Sequence, residues 1–279
     1  MALPSFARRY TRNRAAVGGA VLLALVAAAA LAAPMLYPGD PWDMVGPPLL
    51  RPGADPAFPL GTDALGRDVA AGILHGARVS LFIGAAATAV SVLIGTLVGA
   101  VAGYYGGWAD DLLSRLTEIF QTMPFFVFAL VIVAIVGPSV NTIVLAIGVV
   151  TWPPVARLVR GEFLSLRTRE FVEAAVGSGS SDARIIFRHI LPNATAPIVV
   201  TASVKVATAI LTESSLAFLG LGDPNVISWG TMIGSARDML RTAPYLTALP
   251  GLAILLTVLA LNLVGDGINA ALNPRSRER

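Results

Sequence analysis

The sequence predicts an all-α integral membrane protein with six transmembrane helices. Its 279 residues are 55% hydrophobic and only 13% charged, and the mean hydropathy is +0.73, whereas about a quarter of the residues in soluble domains are charged. Several uncharged runs are long enough to cross a hydrocarbon core of about 30 Å. Arginines concentrate between these runs, as they do at the ends of membrane spans.

The charge pattern assigns each segment to one side of the membrane. The segments assigned to the cytoplasm hold fourteen arginines and those assigned to the outside hold five, so the positive-inside rule places both termini in the cytoplasm. The predicted segments are a cytoplasmic N-terminal segment at 1–14, a first transmembrane helix at 15–39, an external loop at 40–78, a five-helix core domain at 79–272 that includes a cytoplasmic loop at 157–192, and a cytoplasmic tail at 273–279.

The composition excludes some kinds of site. The chain has no cysteine, so it has no disulfide, thiolate metal site or cysteine nucleophile. The net charge of +3 comes from arginine, since Lys205 is the only lysine. Because these basic residues flank apolar runs, they indicate membrane orientation and not binding to nucleic acid.

The first span has an alternative interpretation as a cleaved signal peptide, because Ala30-Leu31-Ala32 resembles a small-residue cleavage site. However, the apolar core at 17–33 is long for a signal peptide, and the later spans need an inserted anchor. The sequence therefore favours a retained transmembrane helix.

The external loop contains a polar cluster within a segment rich in proline and glycine. Gly66 permits a turn there. Asp63 and Asp68 are placed to bond nearby backbone amides, and Arg67 is placed to pair with either carboxylate. A metal site made of Asp63, Asp68 and His75 is the alternative. Because an Asx-turn loop accounts for the same residues without an ion, we expect no metal.

The five core spans are divided by glycines and prolines. The second span is predicted from Val79 to Trp108, and a short amphipathic turn follows it. Residues 119–156 hold no charge, and Gly137-Pro138-Ser139 divides them into two spans with a tight outer turn. The fifth span is predicted from about Ala194 to Leu221, and the sixth from Leu246 to about Val264. Three prolines are predicted to mark kinks or helix ends, at Pro124, Pro153 and Pro154.

The loop at 157–192 is the longest polar segment in the second half of the chain. It is predicted to form a helix over 157–176, a glycine turn at 177–179, and a second short helix that starts near Ser181 and stops at Leu191-Pro192. We call this helix–turn–helix the knob. A compact knob on the surface of a membrane protein suits a groove on a partner.

Three ionisable residues lie in or beside the predicted spans. Lys205 and Glu213 fall within the fifth span, where charges usually face a bundle interior or water, so both are candidates for a translocation pathway. The alternatives are that Lys205 extends toward the membrane surface and that Glu213 stabilises a packed interface. They are eight positions apart, two turns along the helix, so we expect no direct bond. Asp266 is expected to have a helix-terminal or subunit-contact role.

The knob resembles the EAA loop of ABC importer permeases. Glu173-Ala174-Ala175 is followed six positions after the glutamate by Gly179, and then by Ile190-Leu191-Pro192. His189 departs from the generic pattern but resembles the peptide-transport branch. The EAA loop docks onto an ATPase subunit, and the resemblance implies that docking role for Glu173, Ala174, Ala175, Gly179, Ser180, Asp182, Ile190, Leu191 and Pro192.

Other motifs resemble C-type subunits of dipeptide and oligopeptide permeases. They are the external loop at 60–69 with its Asp63, Gly66, Arg67 and Asp68, the segment at 75–81, the segment at 210–222, the SWG triplet at 228–230, and the segment at 263–275. The resemblance implies a type I ABC importer permease fold, with the first helix packed around a core of five.

The resemblance also implies a multi-subunit importer in the bacterial inner membrane. Its partners would be two ATP-binding subunits, a second homologous permease subunit, an external substrate-binding protein and membrane lipid. The chain has no G-x-x-x-x-G-K-[ST] phosphate loop, so it is predicted not to be an enzyme and to hold no cofactor, with ATP and Mg bound by the partner ATPases.

Two other function classes use a similar number of spans. An ion-coupled secondary transporter fits Glu213 but leaves the knob unexplained. A rhomboid-like protease would need a histidine beside a serine such as Ser178 or Ser180, yet His75 and His189 are predicted on opposite sides of the membrane. The solute stays open among dipeptides, longer peptides, nickel chelates, glutathione-like compounds and some opines.

Overall fold

The computed structural model describes residues 3–272, and no β-strand occurs within that range. The predicted tail at 273–279 lies outside the described residues. The first six α-helices are α1 (Leu3–Arg12), α2 (Arg14–Leu36), α3 (Val69–Tyr105), α4 (Gly107–Thr122), α5 (Phe125–Val136) and α6 (Val140–Val150). The others are α7 (Pro153–Leu166), α8 (Glu170–Gly177), α9 (Asp182–Arg184), α10 (Leu191–Leu216), α11 (Trp229–Ser235) and α12 (Tyr245–Leu272).

The helices agree with the predicted number of spans. Four are long and apolar enough to cross a membrane, namely α2, α3, α12 and the continuous helix Asp182–Leu221 that contains α9 and α10. The pair α4 and α5, bent by 81°, and the pair α6 and α7, bent by 44°, each pass the same test together. Both bends occur at predicted prolines, because Pro124 precedes α5 and Pro153 begins α7. Six spans result when each bent pair counts as one.

The second span begins earlier than predicted, and the external loop is correspondingly shorter. α3 starts at Val69 and not at Val79. Its start is set by Asp68, whose Oδ1 accepts a hydrogen bond of 2.8 Å from the amide of Ala70. A capping aspartate stabilises the first turn of a helix, so residues 69–78 belong to the helical core.

The predicted short turn after the second span is instead the sixteen-residue helix α4. No proline interrupts residues 107–122, and α4 is held against α7 by an ion pair. The Nη2 of Arg160 on α7 donates to Oδ2 of Asp110 on α4 at 2.7 Å. The amphipathic character was predicted, but the length follows from this packing.

The second helix of the knob does not stop at Leu191-Pro192. It continues into the membrane as the helix Asp182–Leu221, because residues Ile185–Ile190 are wound as a π-helix. The amide of Leu191 bonds the carbonyl of Ile186, five residues back. Pro192 lies in the first turn of α10, where its missing amide hydrogen costs no helical hydrogen bond. The wider π-helical turn before it lets the helix continue past the proline.

α3 is the central helix of the bundle, with extensive contacts to α2, α6, α7 and α10. Its glycines allow these contacts, because small residues let neighbouring helices approach closely. A Cβ added at Gly95 would lie 2.6 Å from the Cβ of Val155 on α7, and one at Gly84 would lie 2.7 Å from Ile210 on α10. α2 packs on α12 and α3, so the first helix lies beside the core formed by the other spans.

The two ends of α3 mark two faces of the bundle. At its N-terminal end the external segments meet, since the Tyr245 hydroxyl donates to the Thr62 carbonyl at 2.8 Å. The turn at Val140 joins them, because its amide donates to Asp223 at 2.9 Å. The knob lies at the C-terminal end. The loops therefore group as predicted, and the assignment of one face to the cytoplasm stays a prediction.

Candidate functional site

The turn of the knob depends on Gly179. Its φ is +76°, in the left-handed region that costs a residue with a Cβ about 1 kcal/mol or more. α8 ends there, because the Gly179 amide donates to the Val176 carbonyl at 2.9 Å and the Ser180 amide donates to the Ala175 carbonyl at 3.1 Å. The glycine turn predicted at 177–179 is confirmed.

The predicted docking residues divide between two faces of the knob. Glu173 and Ala174 are exposed, as are Gly179, Asp182 and Pro192, while Ser180 and Leu191 are half-buried. Ala175 and Ile190 are buried in a hydrophobic cluster with Val172, Phe163 and Ile185. Ala175 and Ile190 therefore anchor the knob to the bundle and do not reach its outer surface.

Three exposed apolar residues on the knob were missed from the sequence. They are Phe171, Val176 and Phe187, which are 42%, 58% and 62% exposed. Helical spacing alone does not reveal them, since Phe171 and Val176 lie one turn from the buried Ala175 and Val172 on α8, at the two edges of the same apolar stripe. Apolar side chains with this exposure, beside an exposed carboxylate, form a surface suited to a protein partner.

The knob is tied to the end of α3 by polar contacts. The Tyr104 hydroxyl donates to Oδ1 of Asp182 at 2.9 Å. Nη1 of Arg167 donates to the carbonyls of Gly103 and Tyr104 at 3.3 and 3.2 Å, which satisfies acceptors that the end of a helix leaves open. These bonds therefore join the knob to the end of the central helix.

Arg169 lies one turn before Glu173 and is the alternative partner for its carboxylate, within the knob itself. Both side chains are exposed, and no salt bridge joins them anywhere in the described part of the chain. Only the backbones meet, where the Glu173 amide donates to the Arg169 carbonyl at 3.1 Å. The Glu173 carboxylate is left facing outward.

The contacts of Glu213 fit a role in stabilising a packed interface. Its side chain is 1% exposed, and it accepts a hydrogen bond of 2.6 Å from the Ser228 hydroxyl at the start of α11. The neighbouring Trp229 is fixed to α3, since its amide donates to the Ser80 hydroxyl at 3.1 Å. Glu213 thus holds the start of α11, between the fifth and sixth spans, in the bundle. Its pathway role stays a prediction.

Lys205 lies beside the break between α6 and α7, and its Nζ donates to the Thr151 carbonyl at 2.6 Å. It is half-buried and does not extend to the end of its helix. Within residues 3–272 it forms no salt bridge with Glu213 or any other acidic residue, in line with the expectation that these two do not bond. It lines a cavity of about 370 Å³.

The external-loop residues form the expected Asx turn. Oδ1 of Asp63 accepts hydrogen bonds from the amides of Leu65 and Arg67 at 2.8 and 2.9 Å, and the Arg67 guanidinium lies 4.5 Å from the centre of the Trp42 ring. Gly66 has a φ of +79°. The residues of the alternative metal site have separate hydrogen-bond partners. His75 contacts the Tyr37 carbonyl at 3.0 Å, and Asp68 caps α3.

The sequence matches two family models. Residues 95–278 match the model described as "Binding-protein-dependent transport system inner membrane component". Residues 5–51 match the "N-terminal TM domain of oligopeptide transport permease C". The first match covers more than half of the chain and includes the knob.

Several curated bacterial proteins are similar over nearly their whole length. The di/tripeptide transport system permease protein DppC of Pseudomonas aeruginosa is 40% identical, with 98% of this chain and 92% of that protein covered. The glutathione transport system permease protein GsiD of Pectobacterium atrosepticum is 41% identical, with 97% and 90% covered. The oligopeptide permease protein OppC of Haemophilus influenzae is 38% identical, with 97% and 88% covered.

The fold is similar to that of a solved transporter. A chain of the MetNI methionine ABC transporter in an inward-facing conformation aligns with a TM-score of 0.59 and 20% identity, covering 72% of this chain and 96% of that chain. A second crystal form gives a TM-score of 0.56 at 19% identity. These values confirm the predicted type I ABC importer permease fold.

Proposed function

The chain belongs to the family of binding-protein-dependent transport system inner membrane components, and from this premise we propose that it forms a translocation pathway for di- or oligopeptides or a related small solute. Membership makes it a multi-pass inner-membrane permease subunit of an ABC importer, working with ATPase and other permease subunits, and not an enzyme. An ion-coupled secondary transporter and a rhomboid-like protease are thereby excluded.

The peptide class is supported by one observation above all. Relatives about 40% identical over nearly the whole chain are named for the transport of di- and tripeptides, oligopeptides and glutathione. These solutes share a peptide backbone and a free carboxylate, which defines the proposed class of solute.

The subunit composition is proposed to be two ATP-binding subunits, this chain, a second homologous permease subunit and an external substrate-binding protein. ATP and Mg would be bound on the ATPase subunits. The exposed face of the knob, with Glu173 and the apolar Phe171, Val176 and Phe187, is proposed to enter the ATPase groove. The loop braced by Asp63 and Arg67 is proposed to face the binding protein.

The proposed orientation can be tested by labelling single cysteines in this cysteine-free chain. Ala57 in the external loop and Ser181 in the knob are both exposed. We expect an impermeant maleimide to label the Ala57→Cys variant in intact cells, and the Ser181→Cys variant only after the inner membrane is permeabilised. Labelling of Ser181→Cys in intact cells would reverse the assigned orientation and place both termini outside.

The need for partners can be tested in liposomes. We expect this chain alone neither to hydrolyse ATP nor to accumulate a labelled dipeptide, because its sequence has no phosphate-binding loop. With the two ATPases, the second permease and the binding protein, ATP-driven uptake of labelled dipeptides should appear, and ADP serves as the control. ATP-driven uptake by the isolated chain would refute the proposed division of labour.

A further inference from the structure

The cavity beside Lys205 lies within the spans. Lys205 is near the middle of the continuous helix Asp182–Leu221. The cavity, of about 370 Å³, is bounded on one wall by Phe120, Met123 and Phe125 at the break between α4 and α5. The opposite wall comes from the break between α6 and α7. Two broken spans and one lysine therefore meet in one space.

The break explains why the lysine is held there. Pro153 and Pro154 have no amide hydrogen, and the amides of Val155 and Ala156 both donate to the Trp152 carbonyl, at 3.0 and 3.1 Å. The Thr151 carbonyl thus lacks its usual helical donor, and Nζ of Lys205 supplies one. This single neutral acceptor fixes the position of the ammonium group.

One carbonyl does not neutralise the lysine. An ammonium group has three N–H donors, and Lys205 gives one of them to Thr151. Across residues 3–272 no carboxylate lies within salt-bridge distance of Nζ, and no acidic residue lines the cavity. A charge at membrane depth is costly unless it pairs with an opposite charge or faces a water-filled path. The site therefore favours an anion that enters from outside the chain.

We propose that Lys205 is a carboxylate-binding subsite of the translocation pathway, where Nζ pairs with the free carboxylate of the solute in transit. This inference rests on the proposed function, since a peptide is the solute class that brings a carboxylate. The aromatic and methionine side chains of the facing wall suit the apolar part of such a solute. The subsite would favour peptides with a free carboxyl end over their amides.

One neutral and one charged substitution of Lys205 distinguish carboxylate binding from a purely structural role. The complete complex in liposomes is supplied with the radiolabelled dipeptide dialanine, and uptake is compared among wild type, Lys205→Gln and Lys205→Arg. Glutamine keeps a donor for Thr151 but has no charge, whereas arginine keeps both. Because a charged hydrogen bond is the stronger kind, uptake should fall about tenfold in Lys205→Gln and stay near wild type in Lys205→Arg.

The outcomes distinguish this inference from the proposed function. If wild type imports no dialanine or other dipeptide, the proposed solute class fails. If wild type imports it and Lys205→Gln does so equally well, only the subsite is wrong. If Lys205→Gln and Lys205→Arg lose uptake to the same extent, and both are also less thermally stable than wild type, Lys205 has a purely structural role.

A second measurement needs no variant. Lys205 is the only lysine of this chain, so its acylation by a small membrane-permeant amine reagent can be followed by mass spectrometry in the wild-type complex. Transported dialanine should slow the acylation of Lys205, and dialanine amide should not. No reaction at Lys205, or no protection by dialanine, would overturn the proposal.

Discussion

Replacement of Gly179 by valine is expected to abolish ATP-driven uptake while the permease stays inserted and abundant. Gly179 adopts a φ of +76°, which costs other residues about 1–2 kcal/mol and is least tolerated by β-branched side chains. No atom lies within 4 Å of the position of an added Cβ. The substitution thus alters the turn and the outer surface of the knob, and leaves the bundle interior unchanged. Membrane abundance, ATPase co-purification and uptake are measured together.

Matched variants separate backbone shape from surface shape. Gly177→Val is the control, because Gly177 is equally open but has no positive φ. Gly179→Asn should retain more uptake than Gly179→Val, since asparagine tolerates the left-handed region. The companion variant Glu173→Lys should weaken ATPase binding and stop uptake, whereas an exposed pair within the helix would be worth at most about 1 kcal/mol. Normal uptake in both Gly179→Val and Glu173→Lys would contradict the coupling role.

Substitution of Gly99 by valine is expected to prevent correct folding of the permease. A Cβ at this position on α3 would overlap the Ala156 carbonyl oxygen and lie 2.8 Å from the Cβ of Val159 on α7. Backbone atoms cannot move aside as a flexible side chain does, so α3 and α7 must separate. Overpacking of this kind costs about 1–3 kcal/mol or more, and we expect a large loss of membrane-inserted protein and of thermal stability in detergent.

The control for this prediction is Gly161→Val on α7. Gly161 is exposed, and an added Cβ there meets nothing within 4 Å. It carries the same change in helix propensity without the clash. Stability of Gly99→Val equal to that of Gly161→Val would show that the contact between α3 and α7 tolerates a larger separation than the structure indicates.

Much of this molecule follows from local properties of the sequence. The number of spans depends on the length and polarity of apolar runs, and the prolines at 124 and 153 mark bends because proline lacks an amide hydrogen. The turn at Gly179 and the Asx turn at Asp63 are also predictable from the sequence, because each depends on a few adjacent residues. The knob was likewise recognised from residue types at fixed spacings.

Helix boundaries were less predictable. The start of α3 at Val69 depends on the cap by Asp68 and on packing against Trp229, whose indole donates to the Ile73 carbonyl at 2.9 Å. The helix passes Pro192 because a π-helical turn re-registers its hydrogen bonds. The pattern of apolar residues does not contain these adjustments, because one depends on a contact with Trp229 outside the helix and the other on a changed hydrogen-bonding register within it.

The sequence by itself determined the family, the six spans and the knob, because hydropathy, turn chemistry and motif spacing are local. It also placed Glu213 and Lys205 within the fifth span, where charges usually face a bundle interior or water. Only the tertiary structure decided which partners they have. Ser228 is 15 residues from Glu213, and Thr151 is 54 residues from Lys205. Bonds across such separations depend on how helices pack, since a buried polar group pairs with whichever acceptor or donor the fold brings to it.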